Sequence, residues 1–300
     1  MPALATVIVA ASVVFSGVQP QLAAVGDRIF VVFGQGDTIS IARSADSGET
    51  FDTPVSLPVW GKLSLGMRRG PRIAGTARAL MVAAIVGQKG GGADGDIVVY
   101  RSTDQGNTWA AATTINDVPG SAREGLHAMT ASPTGLVVIA WLDLRQGGTR
   151  IYAATSRDHG ATWTPDALVY AAPGGSVCEC CHPSVAIGAG GHVAIMFRNN
   201  LDGNRDMYVT RSTNGVTFAP ATKLGTGSWA LDACPMDGGG VAFNGGDLVA
   251  TWRRENDVVS DHGFDTRAKA GPRPGLRGGS VCDTPGHRLE FARWRAALAR

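Results

Sequence analysis

An eight-residue phrase returns three times in this chain, and its spacing constrains the fold more than any other feature. SADSGETF (44–51), STDQGNTW (102–109) and SRDHGATW (156–163) share the pattern Ser-x-Asp-x-Gly-x-Thr-aromatic. A fourth copy, STNGVTF (212–218), is one residue shorter and has Asn in place of Asp. The glycines fall at 48, 106, 160 and 215, giving spacings of 58, 54 and 55 residues. A unit repeating at that period has the length of one four-stranded propeller blade. The phrase also has a local mechanism. Asp46, Asp104 and Asp158 can accept backbone N–H bonds within a turn, and the glycines supply the positive φ such a turn needs. Phe51, Trp109 and Trp163 can then bury a ring beneath it. These residues read as structural staples, not as catalysts.

The phrases resemble the Asp box, or BNR repeat, of the sialidase-like superfamily, over roughly residues 15–253. The resemblance implies an all-β fold, a β-propeller of four-stranded blades with Asp-box turns. The type it implies is the six-bladed sialidase-like one, and with no further unit legible after residue 253 the ring is expected either to be incomplete at the C-terminus or to be closed by the tail. Aligned inner-strand starts at QPQLA (19–23), GPRIA (70–74), HAMTA (127–131), HPSVA (182–186) and GGGVA (238–242) give five blade-like units. The first lacks most of its outer strand. Residues 1–253 are therefore expected to form the propeller. Residues 254–300 are expected to be a Gly/Pro/Arg-rich tail, poorly ordered or foreign to the fold. The tail holds nine of the 27 Lys and Arg residues and six of the 25 acids, so the propeller itself sums to −1.

Composition excludes several classes. A net charge of +2 leaves no footprint for nucleic acid or an anionic membrane. Forty-one glycines with 17% charged residues fit many short strands joined by tight turns. The apolar run ALATVIVAASVVF (3–15) is short for a membrane span and lacks the basic flank of a secretory leader. It reads as a first strand, with a leader remnant as the alternative.

In a propeller the inner-strand starts and second-strand ends open on one axial face, while the Asp boxes lie on the other. Chemistry-bearing residues gather on the first face. VCECCHP (177–183) brings Cys178, Cys180, Cys181 and His182, neighbouring units add His127 and Met129, and CPM adds Cys234 and Met236. Thiolate, thioether and imidazole together suit copper(I), and thiolate with imidazole suits zinc. A soft metal, copper or zinc, is the leading expectation for these eight residues. A structural disulfide joining Cys178 or Cys181 to Cys234 is the alternative, in a binding propeller exported from the cytoplasm. The odd count of five cysteines leaves one thiol over.

The family resemblance implies a further alternative, an exo-sialidase-like glycoside hydrolase acting on a glycan at the axial face. Sialidases grip a carboxylate with three arginines and use a Tyr–Glu pair with an Asp acid/base. Arg68, Arg69, Arg72, Arg145, Arg198 and Arg253 lie on the expected face. Asp143 with Arg69, Arg145 and Arg198 form the candidate catalytic set. None of the four tyrosines, 100, 152, 170 and 208, falls at an axial position suited to the nucleophile.

Overall fold

The computed structural model describes residues 15–265, with side chains to residue 261. Five antiparallel sheets follow one another along the chain. Blade 1 comprises β1 (Val18–Val25), β2 (Arg28–Gln35), β3 (Thr38–Ser44) and β4 (Val55–Pro58). Blade 2 comprises β5 (Lys62–Leu63), β6 (Arg72–Gly75), β7 (Leu80–Gly87), β8 (Asp96–Ser102) and β9 (Thr113–Thr114), with β5 and β6 both pairing with β7. Blade 3 is β10 (His127–Ala131), β11 (Val137–Asp143), β12 (Arg150–Ser156) and β13 (Ala167–Tyr170). Blade 4 is β14 (Ser184–Ile187), β15 (Val193–Arg198), β16 (Met207–Ser212) and β17 (Thr222–Lys223). Blade 5 has three strands, β18 (Gly240–Asn244), β19 (Asp247–Arg254) and β20 (Asp257–Asp265). The inner strands β1, β6, β10, β14 and β18 are neighbours in that order, as in a β-propeller.

The second strands explain why blades stack. β7 (LMVAAIVG), β11 (VVIAWLD) and β15 (VAIMFR) are buried along their whole length. Continuous apolar runs of this kind suit strands covered on both faces. Alternate residues of one strand therefore serve two interfaces. Val82 and Val86 face blade 1 with Phe30 and Ile39, whereas Met81 and Ile85 face blade 3 with Ile139 and Trp141. Two further clusters join blade 3 to blade 4 and blade 4 to blade 5.

The Asp boxes connect the third and fourth strands and are near-copies of one another. Ser44 donates to Asp46 at 2.7 Å and accepts from Gly48 N at 2.8 Å, and Asp46 accepts from Thr50 N at 2.9 Å. Ser102, Asp104, Gly106 and Thr108 repeat this set at 2.8, 2.8 and 2.9 Å. Ser156, Asp158, Gly160 and Thr162 repeat it at 2.8, 2.9 and 2.8 Å. Each threonine hydroxyl also donates to its aspartate. In the fourth copy Asn214 accepts from Thr217 N at 2.8 Å. Beyond closing their own turn, the boxes clamp the preceding blade. Arg43 bonds Asn107, Arg101 donates to His159 O at 2.8 Å, and Thr155 donates to Gly215 O at 2.7 Å. The box aromatics Trp109, Trp163 and Phe218 pack against the clusters between blades.

Two expectations change. The outer strand of blade 1 is present as β4, a four-residue strand paired with β3. The sheet also continues past residue 253, because β20 pairs with β19 along its length. The segment at 3–15, apart from Phe15, and the tail from 266 to 300 lie outside the described residues. Among the described residues no helix is long and apolar enough to cross a membrane.

Candidate functional site: the axial pocket and its sulfur cluster

Four consecutive inner strands and the turns before them enclose a pocket of ≈ 430 Å³ at the expected axial end. Its lining includes Gln19 and Gln21 from blade 1, Arg68, Arg69 and Arg72 from blade 2, Met129 from blade 3, and His182 and Ser184 from blade 4. The three arginines differ in their partners. Arg69 is buried, donates to the carbonyl of Glu124 and stands 3.9 Å from the Glu124 carboxylate. Arg72 reaches only carbonyl oxygens, those of Arg68 at 2.7 Å and of Gly70 and Pro71 at 3.1 Å. Among the described residues neither Arg68 nor Arg72 has a carboxylate within ion-pair distance.

The consequence is a positive field at the base of the pocket. Burial, with the charge of Arg68 added, lowers Arg72 to about 10. Burial and then the charge of Arg72 hold His127 down to about 3. Burial and then the charges of Arg72 and Arg68 hold His182 at about 4. Both histidines are therefore neutral near pH 7. Behind Arg69, Glu124 is shifted the other way, raised by burial and by the neighbouring carboxylate of Glu179.

Backbone strain collects at the same end. Outside the Asp boxes and two hairpin turns, the non-glycine residues with positive φ are Gln19 (50°), Met67 (51°), Arg68 (67°), Glu124 (68°) and Met236 (53°). Gln19 lies at the start of inner strand β1 and the other four in segments leading to inner strands, and strained positions of this kind persist where function or packing over-determines them.

The candidate catalytic set separates. Asp143 is fully buried, and both its oxygens are spoken for. It accepts from Ser121 Oγ (2.7 Å), Trp141 Nε1 (2.9 Å), and the backbone, Nε and Nη2 of Arg145 (2.9, 2.8 and 2.7 Å). Burial raises its pKa, but these bonds together, led by those from Arg145, outweigh burial and lower it overall. Arg145 also bonds Asp166 at 2.5 Å and lies 4.0 Å above the Tyr152 ring. Arg198 is 1% exposed and donates to three carbonyls, of Asp237, Arg205 and Arg253. Asp143, Arg145 and Arg198, expected in the catalytic set, do not line the pocket: the first two are held in one network with Ser121, Trp141 and Asp166, and Arg198 ties blade 4 to blade 5. Arg69 is the one member of that set that does.

The cysteines do converge. Cys178 Sγ lies 3.3 Å from Cys181 Sγ and 3.7 Å from Cys180 Sγ, which is 3.9 Å from Cys181 Sγ. Cys180 forms a disulfide with Cys234 across blades 4 and 5, with Cα atoms 6.2 Å apart. The expected bridge to Cys234 therefore comes from Cys180, not from Cys178 or Cys181, which are buried free thiols. The hydrogen bond shared by the two thiols lowers the Cys178 pKa and raises that of Cys181. His127 and His182 do not join this group. Among the described residues only the three cysteine sulfurs form a group of His, Cys, Asp or Glu donor atoms within 4.8 Å of one another. His182 and Met129 face the pocket instead, and His127 is fully buried with Nε2 3.4 Å from Ala83 O.

Gln19, Gln21, Ser184 and Glu179 are functional candidates that residue type alone does not single out. The first three lie on aligned inner-strand starts, which is the signal that could have found them. Glu179 is concealed inside the cysteine run, and only its place beside Glu124 marks it.

Comparison with known proteins agrees with this architecture. Residues 73–242 match the family described as a BNR repeat-like domain. An α-L-arabinanase from Penicillium chrysogenum, solved with arabinobiose, is 16% identical with a TM-score of 0.56, covering 81% of this chain and 76% of its own. An α-L-arabinofuranosidase from Fusarium graminearum is 13% identical with a TM-score of 0.52, covering 82% and 77%. A lectin from Aleuria aurantia, solved with Fucα1-6GlcNAc, is 12% identical with a TM-score of 0.51, covering 81% and 74%. At these identities the likeness is one of fold. No curated protein matches the sequence.

Proposed function

Given that the chain belongs to the BNR repeat-like family of sialidase-like Asp-box propellers, we propose that its axial pocket binds an acidic saccharide through a carboxylate. The observation that carries this reading is the pair Arg68 and Arg72, two cations at one pocket with no carboxylate partner among the described residues. Bidentate guanidinium–carboxylate bonds are strong and geometrically selective, and a ligand carboxylate would supply the missing counter-charge. Gln19, Gln21 and Ser184 offer neutral donors and acceptors for sugar hydroxyls. The solved relatives named above, two glycosidases and a lectin, carry saccharides on the same fold, which favours a sugar over other small anions. The Cys180–Cys234 bridge favours an oxidising, extracytoplasmic compartment.

Glycoside hydrolysis is the second reading, and Glu124 is the residue that favours it. A half-buried carboxyl raised by burial and by Glu179, beside the pocket arginine Arg69, has the character of a general acid. It takes the place first assigned to Asp143. The test is a panel of acidic and neutral saccharides, screened for binding and for release of reducing sugar. Acidic members should be retained selectively, and Arg72→Ala should weaken them roughly ten- to a hundredfold, the worth of a charged hydrogen bond. Loss of turnover with retained binding in Glu124→Gln would assign hydrolysis. Retention of neutral sugars as strong as that of acidic ones, or undiminished retention of acidic ones by Arg72→Ala, would overturn the acidic-saccharide reading.

A further inference from the structure

The sulfur cluster lies apart from the saccharide reading and has its own geometry. Three sulfurs in one turn are separated by 3.3, 3.7 and 3.9 Å. A tetrahedral ion with metal–sulfur bonds of about 2.3 Å sets its ligands on edges of about 3.8 Å. The fourth sulfur, Cys234, comes from the next blade and is already bonded to one of the three. We propose that Cys178, Cys180, Cys181 and Cys234 form a four-thiolate site for a closed-shell thiophilic ion, zinc(II) or copper(I), in the reduced protein. The Cys180–Cys234 disulfide is its oxidised, metal-free state.

A second observation supports a negatively charged occupant. Four thiolates around zinc carry a net charge of −2, which a buried site must offset. Arg198 is 1% exposed and, among the described residues, is met by carbonyls and by the Trp229 ring but by no carboxylate. Cys178 N donates to Arg198 O at 3.1 Å, so this cation sits at the strand end that carries the cluster. A buried guanidinium without an acidic partner is costly beside neutral sulfur and well matched beside a metal–thiolate centre.

Loading balances in two steps. A dithiol or phosphine reductant gives two electrons to the Cys180–Cys234 bond and is itself oxidised, leaving two thiols. One metal ion then displaces the protons of four thiols and takes four sulfur bonds. Metal and disulfide compete for the same two sulfurs, so a chain that meets the ion while reduced retains it, and a chain oxidised first does not.

The experiment uses the full chain with Cys282 changed to Ser, so that only the four clustered cysteines count. Phosphine-reduced and air-oxidised samples are each given zinc(II) or acetonitrile-stabilised copper(I), desalted, and assayed for metal and reactive thiols. The reduced chain should retain one equivalent of at least one of the two ions with all four thiols shielded, and the oxidised chain none. Cobalt(II) in place of zinc should give tetrahedral thiolate absorption bands. Cys234→Ser and Cys178→Ser should each abolish stoichiometric retention. The reduced–oxidised comparison decides the matter on an intact cluster even where a variant folds poorly. If the reduced chain retains neither ion, or retains them equally when oxidised, the sulfurs are a disulfide with two spectator thiols and the proposal fails.

Discussion

The two ends of this propeller treat charge in opposite ways. At the Asp-box end the three box aspartates are caged: Asp46, Asp104 and Asp158 each accept from a serine, a threonine hydroxyl and the backbone of the turn. At the axial end Arg68 and Arg72 face a pocket with no acidic partner among the described residues. Positive φ occurs at both ends, but in the boxes it falls on Gly48, Gly106 and Gly160 and the residue before each, in turns closed by hydrogen bonds. Axial strain falls on Gln19, Met67, Arg68, Glu124 and Met236, of which Gln19 and Arg68 line the pocket. Repetition with full satisfaction marks structure, and irregularity with unpaired charge marks a binding site.

That contrast can be broken by mutation. The largest effect belongs to Asp143, which lies on the axial side yet behaves like the caged residues. Asp143→Ala should cost about 3–5 kcal/mol, because Arg145 would keep a buried charge with one partner fewer. Denaturant unfolding measures it, and a loss below about 1 kcal/mol would return Asp143 to the list of functional residues. Next come the boxes. Asp104→Ala removes side-chain bonds to the turn of the helix-cap kind and should lower the unfolding midpoint measurably, by less than Asp143→Ala does. Asp104→Asn should cost less, since Asn214 already holds the fourth turn.

Acid probes the same bonds. The Ser44 hydroxyl for Asp46, and the Thr108 and Thr162 hydroxyls for Asp104 and Asp158, lead the bonds that lower each carboxyl from 3.8 to about 2. A carboxylate with a lowered folded pKa stabilises fully above its unfolded value, so this contribution should be intact above pH 4 and fade as pH falls toward 2. Fluorescence of the box tryptophans follows that transition. The smallest effect on stability should come from Arg68→Ala, within about 0.5 kcal/mol, because an exposed side chain without an ionic partner supports little. A larger loss would place Arg68 among the structural residues.

The fold was legible because each box writes its turn into local sequence, and a constant period converts four turns into successive blades. Where local signals thinned, the outline slipped. β4 and β20 were missed because a four-residue outer strand and a strand rich in charge lack apolar alternation. The site was legible in position and not in role. Alignment of inner-strand starts placed Arg69, Arg72 and His182 at one pocket. Whether a residue there is free depends on partners distant in sequence, as Asp143 is saturated by Ser121 and Arg145 while Arg145 is shared with Asp166. The choice of Cys180 as the partner of Cys234 is likewise set by how two loops approach across a blade interface.

The central claim is that the unpartnered axial cations exist to meet a carboxylate. Calorimetric titration of the full chain with an acidic monosaccharide and with its uncharged methyl ester, under identical salt, isolates that single charge. The acid should bind at least about tenfold more tightly than the ester, matching a charged hydrogen bond of about 1.5 kcal/mol or more, with the difference shrinking as salt is raised. Equal affinity for acid and ester, or a preference for the ester, would contradict the account.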